Sequence, residues 1–202
     1  MPISHDEVVH GKKSLLDKHF GEYEQKFAGV RAFMGFMMSH PGKKLMFMGS
    51  EFGQFKEWAY KEGLEFFLKG YEKHNKLSRF FKELNNFYLN EPCLYGDDDG
   101  WDGFEWAIAD DSDNNVVAYR RRFNGEELIC VVNFSGADKT VCFGATEGKY
   151  DVVFKSDLVR FGGNNKCRKR VFKTKKGSYG NYPFTLELNL SELSFVYLKK
   201  RK

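Results

Sequence analysis

The sequence predicts an α/β segment followed by an all-β domain. Three observations carry that prediction. Two stretches before residue 92 place apolar residues at steps of three and four, and a short unbroken apolar run lies between them. After residue 92 the chain breaks into short alternating or apolar runs split by turn residues.

Taken in order, the first helix is expected from Glu22 to His40, where Tyr23, Phe27, Val30, Met34 and Met37/Met38 form the stripe of a helix with one buried face. Pro41-Gly42 ends it. Leu45-Met46-Phe47-Met48-Gly49 then reads as a strand covered on both faces, as in parallel sheets. A second helix follows the stripe Leu77, Phe80/Phe81, Leu84 and Tyr88 and stops at Asn90-Glu91-Pro92. A lone buried strand would leave its ladder groups unpaired, so this segment reads as the end of a larger α/β sheet. Strands are expected at 104–109, 116–122, 128–134, 140–143, 150–154, 184–190 and 195–198. Asn124-Gly125 marks a hairpin turn, because both residues tolerate positive φ. The boundary falls in the polar stretch between Pro92 and Gly100, which divides the chain into 1–95 and 96–202.

With 202 residues and 42% apolar content the chain has material for one large domain or two small ones. No apolar run approaches the roughly 18 residues that cross a bilayer, so no membrane partner is expected. The opening MPISHDEVVHGKK has no apolar stretch behind a basic start, which argues against a secretory signal and for the cytoplasm. Cys93, Cys130, Cys142 and Cys167 are widely spaced, with no CxxC pair, and read as reduced thiols. Sequons at Asn133 and Asn189 fall inside alternating apolar segments, where a glycan would not fit. The net charge of +4 does not demand a polyanionic partner.

Chemistry concentrates in Ser4-His5-Asp6-Glu7-Val8-Val9-His10-Gly11-Lys12-Lys13, which packs two histidines, two carboxylates and two lysines into ten residues. On residue types alone this dense polar segment is either ordinary loop chemistry or a metal set of His5, Asp6 and His10. A resemblance narrows the choice. SHDEVVHGKK, followed after a helix by HPGKKLMFMGSEFGQFKEW, closely resembles the last two strand-loop units of the catalytic barrel in bacterial glycogen branching enzymes, members of the alpha-amylase superfamily. GFEW at 103–106, NNVVAYRRR at 114–122, VVNF at 131–134 and FGG at 161–163 resemble the same family's C-terminal all-β domain.

The resemblance implies the last two strand-helix units of a (β/α)8 barrel over 1–95 and a C-terminal antiparallel β-sandwich over 96–202. It implies a retaining transglycosylation, in which an α-1,4-glucan segment is passed to a 6-hydroxyl to make an α-1,6 branch in glycogen. The family uses an aspartate nucleophile, a glutamate acid/base and a second aspartate that stabilises the oxocarbenium-like transition state. Asp6 matches that second aspartate, and His5 its sugar-binding neighbour. Glu7, Glu51, Gln54 and Trp58 are the further substrate-binding candidates. No position matches the nucleophile or the acid/base. After Trp58 this chain also reads Ala59 and Glu65-Phe66 where the family has an asparagine and later an Asp-Trp pair. The implied partner is an α-1,4-glucan such as glycogen. No metal and no cofactor are implied, and the oligomeric state is left open.

Two further features take plain readings. Lys166 to Lys176 holds seven cations around one ring, Phe172, and reads as a solvated basic hairpin with no nucleic-acid partner. Asp110-Asp111-Ser112-Asp113-Asn114-Asn115 lacks the glycine and glutamate of a calcium loop and reads as a turn. Trp106, alternating with Phe104 and Ile108, is expected in the core, whereas Trp101 is expected to be exposed.

Overall fold

A computed structural model describes residues 3–201. Helix α1 (Tyr23–Ser39) and helix α2 (Glu72–Asn90) precede nine antiparallel strands. These are β1 (Phe104–Asp111), β2 (Val116–Phe123), β3 (Glu126–Asn133), β4 (Lys139–Ala145), β5 (Lys149–Lys155), β6 (Val171–Lys173), β7 (Lys175–Tyr179), β8 (Tyr182–Leu190) and β9 (Ser194–Lys200). Six of them form one sheet in the order β1-β2-β3-β9-β5-β6, and three form a second, β4-β8-β7.

The sequence periods explain the layering. In β3, Leu128, Cys130 and Val132 join the core with the helices, and Ile129 and Val131 join the core with the second sheet. In β9, Phe195 and Tyr197 face the helices while Val196 and Leu198 face the other way. A strand apolar on both faces must be covered on both. The cover on one side is α1 and α2 through Phe27, Val30, Met34, Leu77, Phe80 and Leu84; on the other it is Val141, Phe143, Leu186 and Leu188.

A polar seam fixes α1 against the first sheet. The last carbonyls of a helix have no partner inside it. Here Arg121, fully buried on β2, donates from Nη1 to the Ser39 carbonyl at 2.8 Å, from Nη2 to the Asp98 carboxylate at 2.5 Å, and from Nε to the Gly103 carbonyl at 3.3 Å. The hydroxyls of Tyr119 and Tyr197 lie 2.6 Å from Ser39 Oγ and 2.5 Å from the Gly35 carbonyl. Gly35 is required here, since a Cβ would stand 2.0 Å from the Phe195 ring.

Several expectations need correction. Residues 45–49 form no strand; Leu45 makes a single bridge, its carbonyl accepting from the Ile3 amide at 2.7 Å, and Leu45 and Met48 are about half exposed. An apolar run becomes a buried strand only where neighbours complete its ladder, and among the described residues Ile3 alone meets it. The basic stretch is not a hairpin either. β6 pairs with β5 in the first sheet and β7 with β8 in the second, so the chain crosses between sheet edges there. Trp106 is not core: it stands on the edge strand β1, 39% exposed, with its ring against Phe104 and Tyr119 at 5.0 and 5.6 Å. Asn189 faces outward on β8 and accepts from Thr140 at 2.9 Å, whereas Asn133 is buried with its amide donating to the Ala137 and Ser191 carbonyls. The remaining strands match, and Asn124 and Gly125 take φ of 50° and 75°, the hairpin geometry their types predict.

The seam carries a stability prediction. Arg121→Ala leaves the Asp98 carboxylate and the Ser39 carbonyl buried without their donor, and removing one partner of such a buried pair costs about 3–5 kcal/mol. Urea denaturation should show a loss of that size. A loss below about 1 kcal/mol would mean that the seam is dispensable.

Candidate functional site

The sequence-predicted residues lie on two adjoining loops. His5, Asp6 and Glu7 form one 3-10 turn, begun by Ser4, whose Oγ accepts the Asp6 amide at 3.1 Å. Glu7 turns back on that turn: its carboxylate accepts the Ser4 amide at 2.5 Å and the Ser4 hydroxyl at 2.9 Å. Those bonds hold its pKa below the ordinary 4.5. His5 Nε2 lies 3.3 Å from the Asp6 carboxylate, and the His5 and Trp58 rings make a T-shaped contact with centroids 5.0 Å apart. His5, Asp6 and Trp58 are thus gathered on one surface, and all three reach solvent.

Glu51 and Gln54 are spent differently. The Glu51 carboxylate accepts the Gly49 amide at 2.8 Å, next to a left-handed Gly49 at φ 89°. Gln54 accepts the Glu65 amide at 3.1 Å and donates to the Lys56 carbonyl at 3.2 Å. Both shape the 49–65 loop with their polar groups. Gln54 and Trp58 border a depression of only about 10 Å³, too small for a sugar ring, so a ligand here would lie on an open surface.

Glu57 organises the site and was not singled out in the sequence. Its carboxylate accepts the Gly11 amide at 2.9 Å and the Lys13 amide at 2.6 Å, with His10 Nδ1 3.5 Å away. The Trp58 amide donates to the Val8 carbonyl at 2.8 Å, and the Lys12 ammonium reaches the Asp6 carbonyl at 2.8 Å. The 5–13 loop and the 49–58 loop are therefore stapled together. The only signal for Glu57 in the sequence was its place before Trp58. Glu65 accepts the Phe55 and Lys56 amides, both at 2.9 Å.

Among the described residues, one further group has metal-like proximity: Glu91, Cys93 and Glu126. The Lys199 ammonium already lies 2.8 Å from Glu91 and 2.6 Å from Glu126, so those carboxylates have their countercharge. A groove of about 910 Å³ lies elsewhere, between the 96–102 loop, the Asn124-Gly125 turn and the end of β9. Trp101, 82% exposed as expected, belongs to the same 96–102 loop. No helix among the described residues is long and apolar enough to cross a membrane.

Residues 106–201 match the family model described as "Alpha amylase, C-terminal all-beta domain". Over 203 residues the chain is 43% identical to the 1,4-alpha-glucan branching enzyme GlgB of Halothermothrix orenii, covering 98% of this chain and 32% of that protein. It belongs with the C-terminal region of the 1,4-alpha-glucan branching enzymes of the alpha-amylase family. The Fusobacterium nucleatum branching enzyme is 39% identical, with 100% of this chain and 34% of the relative covered. The chain thus spans about a third of the length of the branching enzymes it matches. Among solved structures, an alpha-amylase from H. orenii superposes with a TM-score of 0.61 at 16% identity, covering 98% of this chain and 38% of that one. A variant of AmyP in complex with maltotriose superposes with a TM-score of 0.63 at 14% identity, covering 88% and 35%. At such identities these two establish shared fold only.

The Glu57 staple makes a pH prediction. Hydrogen bonds from the Gly11 and then the Lys13 amide hold its carboxyl below the ordinary 4.5. A depressed carboxyl stabilises the stapled loop fully above pH about 4.5 and loses that effect as the pH falls through the lower folded value. The amide resonances of Gly11 and Lys13 should therefore titrate together with a midpoint below 4.5, and should be flat in Glu57→Gln. A shared midpoint at or above 4.5 would contradict the staple.

Proposed function

We propose that this chain supplies part of the donor-site machinery of a glycogen branching enzyme: the end of its catalytic barrel over 1–95 and its C-terminal β-sandwich over 96–202. On this reading α1, residues 45–49 and α2 are the last strand-helix units of a (β/α)8 barrel, and the exposed apolar side chains of Leu45 and Met48 are the ones its other strands would cover. The observation that carries the proposal is the convergence of His5, Asp6 and Trp58 on loops stapled by Glu57. Family membership alone does not require it.

The roles follow from chemistry. Asp6, a carboxylate on an exposed turn, accepts hydroxyl protons of the sugar at the cleaved bond. Its charge counts most as positive charge develops at the anomeric carbon. His5 adds a second bond to the same ring. Trp58 offers apolar ring surface to the sugar's C–H groups while its T-shaped contact orients the His5 ring. Glu7, Glu51 and Gln54 act by holding the loops, because their polar groups are taken by backbone. The nucleophile and the acid/base correspond to no residue here, so the whole reaction needs groups from outside this chain. The cytoplasm, where glycogen is made, is the expected compartment, and an α-1,4-glucan the expected partner.

The purified 202-residue chain should leave the iodine stain of amylose unchanged. In a full-length branching enzyme carrying this region, the change corresponding to Asp6→Ala should lower kcat by about 10²-fold or more, as loss of a transition-state electrostatic contact does. Stain loss by the chain alone, or an Asp6→Ala enzyme of normal kcat, would overturn the assignment. A second reading, a glucan-binding surface without catalysis, is favoured by the exposed Trp101 beside the 910 Å³ groove. Retarded migration of the chain in glycogen-containing gels, abolished in Trp101→Ala, would support it, and unretarded migration would end it.

A further inference from the structure

The basic stretch that crosses between the sheets is more than a solvated surface. From Leu158 to Leu186 the sequence holds no Asp or Glu, and seven cations fall between Lys166 and Lys176. The structure brings them to one corner. β6 is the edge strand of the six-stranded sheet and β7 that of the three-stranded sheet, so Lys173, Lys175 and Lys176 sit where the two edges meet. Lys166, Arg168, Lys169, Arg170, Lys173, Lys175 and Lys176 are all exposed.

Edge strands often carry a lysine to prevent pairing with another chain. That explanation accounts for one or two charges. It does not account for Lys149 lying directly opposite Lys173 in the β5-β6 register, both exposed, since like charges facing across a ladder destabilise it. Nor does it account for the missing countercharge. Lys166 pairs with Asp138 and Glu192, and Lys175 with Glu187, but among the described residues Arg168, Arg170, Lys173 and Lys176 meet no carboxylate.

The corner is also rigid. Phe172 and Thr174 are buried; the Val152 amide donates to the Arg170 carbonyl at 2.8 Å, and the Gly148 amide to Thr174 Oγ at 3.0 Å. Buried Lys155 pins the loop before β6 through the Asn165 side chain at 2.7 Å. Beside it lies a concavity of about 210 Å³ lined by Lys166, Arg168, Lys169, Phe172, Glu187 and Asn189. Its carboxylate, Glu187, is engaged by Lys175 at 3.3 Å.

We propose that this corner is a binding site for a linear phosphate polyanion, which lays its charges along Arg168, Arg170, Lys173 and Lys176 and seats a phosphate in the concavity. A bare phosphate chain is favoured over a nucleic acid because the concavity offers no accessible ring for base stacking, the exposed Tyr179 standing at the far end of β7 outside its lining. Phe172 is buried, and the Lys169 ammonium stands 4.6 Å from its centroid. The site is independent of the branching assignment and needs none of the residues invoked there.

The test is titration of the 202-residue chain with inorganic polyphosphate, followed by fluorescence anisotropy of labelled polyphosphate at several salt concentrations. Binding should weaken at least about tenfold in the triple variant Arg168→Gln, Arg170→Gln, Lys173→Gln. The slope of log affinity against log salt should fall by about 2, the counterion release of three lost contacts on a single chain. The control Lys43→Gln, Lys69→Gln, Lys82→Gln removes the same net charge elsewhere and should bind as the parent does. Equal weakening in both triples would show net-charge attraction and overturn the site. So would tighter binding of single-stranded DNA of equal charge, which would assign the corner to nucleic acid. Thermal melting keeps the test readable if a variant folds poorly: polyphosphate should raise the melting temperature of the parent and not of the corner variant, and an unmoved parent refutes the proposal.

Discussion

The constraint on which the rest of this structure depends is that β3 and β9 have no polar face. From Leu128 to Asn133 every side chain of β3 is out of water, and β9 is buried from Ser194 to Tyr197 and again at Leu198. Such strands are stable only between two apolar layers. The helices and the smaller sheet are therefore required covers of one central sheet, and the region before residue 95 shares its core with the strands after residue 104.

Close cover brings polar groups inside, and the molecule meets most of them with a partner, the buried Asp98 Oδ2 and Arg120 Nε being left without a hydrogen bond. The C-terminal turn of α1 abuts the sheet so nearly that position 35 admits no side chain, and its carbonyls would be stranded there. Arg121 supplies the missing donor to the Ser39 carbonyl, Tyr197 adds a bond to the Gly35 carbonyl, and the Tyr119 and Ser39 hydroxyls pair with each other. At the opposite face Arg120 plays the same part, stacking 4.3 Å over Tyr182, donating to Glu105 at 2.9 Å and bonding the Gly144 carbonyl across to the second sheet. Three consecutive arginines in a strand look like a surface charge run. Here two are buried fasteners, one for each face of the sheet.

What could be read in advance divides along physical lines. Periodicity located both helices and the strands that alternate or are long enough to be apolar throughout, because burial of one or two faces writes itself into side-chain type. It missed β6 and β7, since Val171–Lys173 and Lys175–Tyr179 are short, mostly polar edges whose strand character comes from backbone pairing. It misplaced Trp106, because alternation gives the face of a residue and not its distance from the sheet's edge. The run 45–49 shows the reverse error: composition can prescribe a buried strand, but only neighbours can form one. At the loop site, motif order named His5, Asp6 and Trp58, whereas the Glu57 staple could not be seen, because its bonds run to backbone amides 44 and 46 residues away.

The place of β9 has a consequence for how the chain acquires its shape. The last strand in sequence order is an inner strand of the larger sheet, flanked by β3 and β5 and touching α1 through Phe195 and Tyr197. While a ribosome still holds those residues, β3 and β5 have a gap between them and α1 lacks the Phe195 and Tyr197 part of its floor. Consolidation of the sheet under the helices must then await the emergence of β9, as expected where the decisive contacts join distant parts of a polypeptide. A chain halted before β9 would present an open seam to any chaperone or protease nearby.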